Sequence, residues 1–363
     1  MKSDNGNALL IAKIKRIRKR FIQIRSKNSH EILDKPVSYW IKEDRLLDKK
    51  GKEFTIILRT KGCSWALGEQ GGCSMCGYIG DSNIDPVKSE QIIHQFDYAL
   101  SNSIDDISSS KEDYVFKIFN SGSFFDEEEI SEEVRKYIYD KVKSVSKIKE
   151  FVVESRVEYI KESDLKAIRQ TLKEKHVEIA IGLESVNNHV RNYYVNKGLL
   201  YEDFLGAVEL CKKFDIGVRV YLLFKPPFLN EQAAIDDCIH SVNTLINLHV
   251  NTISINPVNI QKNSYLEYLW HQNRYRPPWF YSLFKALKKI MLSRKDVLST
   301  RIISDPSGAG TKRGIHNCLK KECNDKMLTM LRRFVLTQNG EELLKDDTDC
   351  ECKLYYKLKK FFI

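Results

Sequence analysis

The stretch Phe54–Tyr78, FTIILRTKGCSWALGEQGGCSMCGY, decides how the rest of the chain is read. Phe54–Arg59 is rich in apolar and β-branched residues, which predicts a buried strand. The strand runs directly into a loop carrying Cys63, Cys73 and Cys76. Gly62, Gly68, Gly71, Gly72, Gly77 and Gly80 crowd the same loop, as close wrapping around a bulky group requires.

Beyond the loop, strands and helices alternate. Asp85-Pro86 has the signature of a helix start. Strands are predicted at Tyr114–Phe119, Glu150–Glu154, Val177–Leu183, Gly217–Phe224 and Thr252–Asn256. Helices are expected over Glu127–Val145, Ser163–Glu174, Tyr201–Phe214 and Asn230–Leu248. Repeated units of this length make a parallel sheet with crossover helices. Six are enough for a partial (β/α)6 barrel and too few for a closed eightfold one. Active sites in such sheets lie beyond the C-terminal strand ends. The Cys loop, Asn120–Phe125, Glu154–Arg156 and Glu184–Ser185 all follow strands there and should share one mouth. The expected domains are a basic helical extension over 1–50, the barrel over 51–300, and a Cys-rich basic module over 301–363, with a short strand in STRIIS.

The spacing Cys63-x9-Cys73-x2-Cys76 suits three irons of a [4Fe–4S] cube whose fourth iron stays open to an outside ligand. A cluster held wholly by protein would need a fourth cysteine nearby, and the next is Cys211. Structural zinc held by these thiolates and a distant ligand is the competing reading. Cys211 and Cys238 fall in expected helices and read as core residues. A second group, Cys318-x4-Cys323 and Cys350-x-Cys352 with His316 beside it, suits tetrahedral zinc. A Cys3His zinc site using His316, an auxiliary iron–sulfur cluster and free thiols stay open as alternatives.

Composition narrows the partners. The chain has 363 residues, 42% of them hydrophobic and 30% charged, typical of globular proteins. No apolar run approaches the roughly 18 residues needed to span a bilayer, and the N-terminus lacks a secretory h-region, so a cytoplasmic protein without membrane partners is expected. The net charge is +10. Eight Lys or Arg residues fall between Lys13 and Lys27, with no acid from Asn5 to His30. Such a block is an electrostatic footprint for a polyanion, above all nucleic acid, or simply a solvated face. Leu10, Ile14, Ile17, Phe21 and Ile24 recur at helical spacing, predicting a helix docked on the body with its basic side outward. Thr311, Lys312 and Arg313, with Arg332 and Arg333, could add phosphate contacts.

A Cys-x9-Cys-x2-Cys loop after the first strand, with Met75 before the last Cys, resembles the radical S-adenosylmethionine (SAM) superfamily, and its nine-residue gap is similar to that of the Elp-type subgroup. RTKGCSWA…GGCSMCGY, FNSGSFFD, VESRVEYI and IGLES resemble the archaeosine-forming radical SAM enzymes more narrowly, over about Phe54–His316. The resemblance implies that Cys63, Cys73 and Cys76 hold a [4Fe–4S] cluster whose open iron takes SAM, the source of a 5′-deoxyadenosyl radical. Met75, Ser121, Gly122, Ser123, Glu154, Arg156 and Glu184 would be cofactor contacts. Ser121-Gly122-Ser123 occupies the place of the Gly-rich motif for the methionyl amine, with one Gly where two are common. Glu154 and Arg156, two apart on a strand, would share a face and take the ribose hydroxyls and the SAM carboxylate.

The implied reaction is C–N cleavage of a lysine-adducted 7-deazaguanine at position 15 of the tRNA D-loop, leaving archaeosine. The implied partners are tRNA, the lysine-adding archaeosine synthase and an electron donor, in an archaeal cell. An Elp- or MiaB-like enzyme acting on another base, and a non-catalytic iron–sulfur protein that binds nucleic acid, are the alternatives. Arg219, Tyr221 and Lys225 are further candidates for holding an anionic part of the substrate.

Overall fold

The computed structural model describes residues 3–25, 32–292, 300–344 and 350–362. Helix α1 (Ser3–Arg25) precedes a hairpin of β1 (Ser38–Arg45) and β2 (Lys50–Ile57). The Cys loop follows, holding the single turn α2 (Ser64–Leu67), and then come α3 (Ser89–Ser101) and the short α4 (Ile104–Ser109). Alternation is regular from there: β3 (Tyr114–Phe119), α5 (Glu132–Ser144), β4 (Ile148–Glu154), α6 (Glu162–Thr171), β5 (His176–Glu184), α7 (Tyr201–Lys213), β6 (Gly217–Phe224), α8 (Glu231–Asn247) and β7 (Thr252–Pro257). After α9 (Tyr265–His271) and α10 (Phe280–Leu292), strand β8 (Arg301–Ile303) completes the sheet. Helices α11 (Lys321–Thr337) and α12 (Cys352–Lys359) form the tail.

The eight strands pair in sequence order, β1 antiparallel to β2 and the rest parallel. The α/β class and the partial barrel expected from the alternation are both found. The sheet is curled: Arg301 on β8 donates to the Arg45 carbonyl of β1 and pairs with Glu150 of β4 at 3.0 Å.

Strand residues alternate between two environments, as a pleat requires. The outer set, such as Phe54, Phe116, Phe151 and Ile179, packs with the helices in the main core. Phe54 and Phe116 stack at 4.9 Å, and Phe116 meets Phe151 at 5.7 Å. The inner set is polar over its lower half. Lys117 bonds Asp44 at 2.6 Å and also Glu53, while Glu178 binds Arg219 at 2.8 Å and Arg301 at 3.2 Å. Buried pairs contribute little net stability, but each fixes its strands in register across the lumen. A small apolar set of Val115, Val152 and Ala180 shares the lumen with them.

Among the elements that differ from the sequence reading, three stand out. Strand β1 was not anticipated, because SYWIKEDR mixes charge with apolar residues and lies on the sheet edge. Asp85-Pro86 does not open a helix; α3 starts three residues after Pro86, with Lys88 at its N-cap. Residues 127–131 are turns, and α5 begins after Ser131, whose hydroxyl caps the Val134 amide.

Candidate active site

The Cys loop leaves β2 at the C-terminal edge of the sheet and is held on three sides. Ala66 and Leu67 amides both donate to the Cys63 carbonyl at 3.0 Å, closing the turn α2. From the β5–α7 loop, Asn196 donates to the Gly72 carbonyl at 2.8 Å, and the Tyr194 and Val195 carbonyls accept from Ser74. From α9, the Leu266 amide donates to the Ser74 carbonyl at 3.0 Å. Met75 packs against the small apolar cluster of Val258, Ile260 and Leu266.

The third side is α1, and here sequence reasoning missed a residue. The helix docks by Leu10 and Ile14, while Ile24 stays exposed. Lys15, Arg16, Lys19 and Arg20 face outward as expected, and Lys27 lies outside the described residues. Arg18, however, points inward and is 4% exposed. Its guanidinium donates to the Gly71 carbonyl at 3.2 Å and to the Cys76 carbonyl at 2.9 Å. Gly71 and Gly72 have φ of +70° and +87°, and a Cβ on Gly71 would stand 3.2 Å from the Lys15 backbone. That close approach is what the glycine pair permits. In a run of eight cations, periodicity alone could not single out the buried one.

Cys63, Cys73 and Cys76 lie near enough in the loop for each to feel another's charge. Burial pushes all three thiols up, Cys73 to about 11, and each cysteine's charge raises its neighbour's value further. The opposing cations are Arg156 for Cys63, Lys197 and Arg156 for Cys73, and Arg18 and Lys197 for Cys76. A metal centre lets such thiols ionise together, because it takes up their negative charge. Three thiols in one loop, with the next cysteine in sequence at Cys211, are a donor set that suits an iron–sulfur cube held at three corners.

Around the cysteines stand the other expected residues. Ser121 donates to the Tyr78 carbonyl at 2.9 Å, and Ser123 accepts from the Arg156 amide at 3.1 Å. The turn they form is organised by Glu129, which sequence reasoning missed. Its carboxylate accepts from Thr60 at 2.8 Å, Asn120 at 2.8 Å and the Ser123 amide at 2.9 Å. A Cβ on Gly122 would collide with that carboxylate, so Gly122 is required by packing.

Glu154 ends β4 facing the lumen, and burial, with Glu129 and Glu184 nearby, raises its carboxyl to about 8. Arg156 has left the strand, so its place at the mouth is not the strand-face position anticipated. Its guanidinium lies 5.1 Å from the Trp65 ring centroid and donates to the Lys197 carbonyl at 3.2 Å. Glu184, at φ +68°, pairs with Lys197 at 2.9 Å. Lys197 is a further residue that was missed. It reaches the mouth because Gly182 leaves room, where a Cβ would sit 2.5 Å from the ammonium. The NKG turn at Asn196–Gly198 was a visible turn signal, but not a pointer to an inward lysine.

Two expected substrate residues lie elsewhere. Arg219 is 2% exposed at the bottom of the barrel and committed to Glu178. Lys225 is 1% exposed and bonded to Glu231 and the Arg276 carbonyl, both at 2.8 Å. Both are structural.

In the tail, Cys318, Cys323, Cys350 and Cys352 close into a group whose sulfurs all lie within 4.8 Å. The pairs Cys318–Cys350 and Cys323–Cys352 are 3.9 and 3.8 Å apart. Zinc with Zn–S bonds of about 2.3 Å sets tetrahedral sulfurs about 3.8 Å apart, so the set fits one such ion. His316 stands outside the group, with Nδ1 2.8 Å from the Gly314 carbonyl. Burial and Arg276 lower it to about 4. Arg313 pairs with Glu267, lies 4.8 Å from the Trp270 ring centroid and is only partly exposed. Among the described residues, no helix is long and apolar enough to cross a membrane.

No family model matches the chain. An uncharacterized protein of Methanocaldococcus jannaschii is 40% identical over 341 residues, 94% of this chain and 90% of that protein. Archaeosine synthase subunit beta of Methanosarcina acetivorans is 36% identical, covering 89% of each chain. The protein of the same name from Thermococcus kodakarensis is 35% identical over 88% of this chain and 96% of its own. Among solved structures, the archaeal Methanocaldococcus infernus Elp3 superposes at a TM-score of 0.46 and 14% identity, over 67% of this chain and 59% of its own. The radical SAM methyltransferase TsrM of Kitasatospora setae gives 0.40 and 12%, over 60% and 38%. The two solved structures are distant, but two named relatives match along nearly the whole of both chains: the protein belongs to the archaeosine synthase subunit beta family.

Proposed function

We propose that this chain is a radical SAM enzyme that completes archaeosine in tRNA, by cleaving a C–N bond of a lysine-adducted 7-deazaguanine at position 15 of the D-loop. The observation that carries this reading is the gathering of Cys63, Cys73 and Cys76 in one loop at the C-terminal strand edge, beside the Ser121–Ser123 turn, Glu154 and Arg156. When bound, a [4Fe–4S] cluster with SAM on its open iron supplies the radical chemistry. The chain's own work is binding, orientation and exclusion of water.

Cys63, Cys73 and Cys76 hold the cluster. The carbonyls and hydroxyls of Ser121–Ser123, braced by Glu129, accept from the methionyl ammonium. Arg156 takes the SAM carboxylate in a two-pronged grip, and Glu154 accepts from the ribose hydroxyls. The Glu184–Lys197 pair offers a carboxylate and an ammonium to the amino-acid arm of the base. Met75 supports the loop from beneath. In the tail, Cys318, Cys323, Cys350 and Cys352 hold a structural zinc ion, which ties α12 to α11. The partners in this reading are tRNA, the lysine-adding archaeosine synthase and an electron donor.

The test is anaerobic. The reconstituted chain, given SAM, a reductant and tRNA carrying the lysine adduct, is expected to yield 5′-deoxyadenosine and archaeosine together, read by nucleoside mass spectrometry. Formation of 5′-deoxyadenosine with a different altered base would move the reading to another RNA-modifying radical SAM enzyme. No 5′-deoxyadenosine from a fully iron-loaded chain would end it.

A further inference from the structure

Two loops and a helix at the C-terminal strand ends place aromatic rings in a continuous row. In the β5–α7 loop, Tyr193 stacks on His189 at 4.8 Å. Tyr194 then meets Phe228 of the β6–α8 loop at 5.4 Å. Phe228 meets Tyr265 of α9 at 6.3 Å, and Tyr265 meets Tyr268 at 5.9 Å. The row ends on a cation: the Lys13 ammonium of α1 sits 3.9 Å over Tyr268. These rings are only partly core, Phe228, Tyr265 and Tyr268 packing one side against the buried cluster around Leu266. Tyr193 is 36% exposed, and Tyr194, Phe228, Tyr265 and Tyr268 are all half-buried. They are less buried than Phe54, Phe116 and Phe151, which are at 0% exposure.

The row adjoins the cysteines. Met75, between Cys73 and Cys76, packs into the apolar cluster that Phe228, Tyr265 and Tyr268 line. The Tyr194 carbonyl accepts from Ser74 at 2.7 Å. On its far side, α1 presents Lys15, Arg16, Lys19 and Arg20 to solvent. Half-open aromatic faces beside a cationic helix are the pattern of a surface that binds unpaired nucleotides, rings taking bases and cations taking phosphates.

We infer that this row is a stacking platform for unpaired RNA bases, which delivers single-stranded RNA to the cysteine mouth while α1 holds the flanking phosphates. The inference rests on the tRNA reading above and deepens it. A rigid duplex cannot offer base faces to the rings, so the platform selects a substrate whose loop is opened.

The test uses the full chain, reconstituted anaerobically, with two binding partners: an archaeal tRNA transcript and an RNA duplex of equal charge. Tyr193→Leu and Tyr265→Leu keep the apolar packing and remove the π face. Combined, they should weaken tRNA binding by about tenfold or more while leaving the slope of log affinity against log salt unchanged. Duplex binding should not move. Arg16→Ala with Arg20→Ala should instead flatten the slope, by about 0.7–0.9 for each phosphate no longer neutralised. Leucine variants that keep the wild-type iron content and bind tRNA as the wild type does overturn the platform alone. Equal loss on tRNA and duplex overturns it too. A wild-type chain that binds no tRNA overturns the platform and the reading beneath it together.

Discussion

Replacing Arg18 by Met isolates the contact between α1 and the Cys loop, because Met keeps the apolar stem and removes the guanidinium. Two hydrogen bonds disappear, to the Gly71 and Cys76 carbonyls. Each hydrogen bond from a charged donor contributes about 1.5–3 kcal/mol. Part of this is offset in the wild type, because Arg18 is buried with one Nη that has no partner. A net loss of about 2–4 kcal/mol follows for the docked state, so local opening becomes roughly 30- to 900-fold more frequent. Hydrogen exchange read by mass spectrometry should find the amides of α1 and of residues 71–76 exchanging faster, while β4–β6 remain protected. Anaerobic reconstitution should then leave less iron per chain, because the Cys76 backbone has lost its brace. Arg16→Ala, an exposed position, should do neither. Wild-type exchange in the Arg18→Met chain would refute the argument that this one cation locks the helix to the loop.

Replacing any one of Cys63, Cys73 or Cys76 by Ala should abolish 5′-deoxyadenosine formation and lower bound iron, measured by assay of iron and sulfide; full iron content in all three variants would remove them as ligands. Glu129 and Glu154 are raised by burial to about 7 and about 8 from 4.5. The folded cluster-free chain thus binds more protons than the unfolded chain between pH 4.5 and 8, and its stability should fall as pH rises through that window. The fall is on the order of a few kcal/mol. Urea midpoints at pH 5 and pH 8 check it, and Glu154→Gln should flatten the profile; an unchanged slope in that variant would contradict the assignment. Cys323→Ser should lose a bound zinc ion and expose α12 to proteolysis. Retention of one zinc per chain would mean the metal sits elsewhere.

Much was legible along the chain because the information is local. Alternating apolar runs and amphipathic segments specify strands and crossover helices, and β3 and β6 fall where periodicity puts them. A parallel sheet then sends every βα loop to one edge, so the Cys loop, the Ser121–Ser123 turn and Glu154 had to share a mouth. The cysteine spacing carried the proposal of a cluster, since ligand type and separation are properties of the covalent chain.

What the chain order could not decide is which of several equivalent residues turns inward. Arg18 looks like its seven cationic neighbours, and Lys197 like any turn lysine, until packing removes one from water and gives it carbonyls or a carboxylate to bind. Arg219 and Lys225 read as substrate residues for the same reason, and their partners Glu178 and Glu231 lie far from or outside their own strand. The aromatic row is assembled from two loops and α9, separated by dozens of residues. Burial and pairing of charge depend on neighbours in space, and those are set only when the sheet has curled and the loops have met.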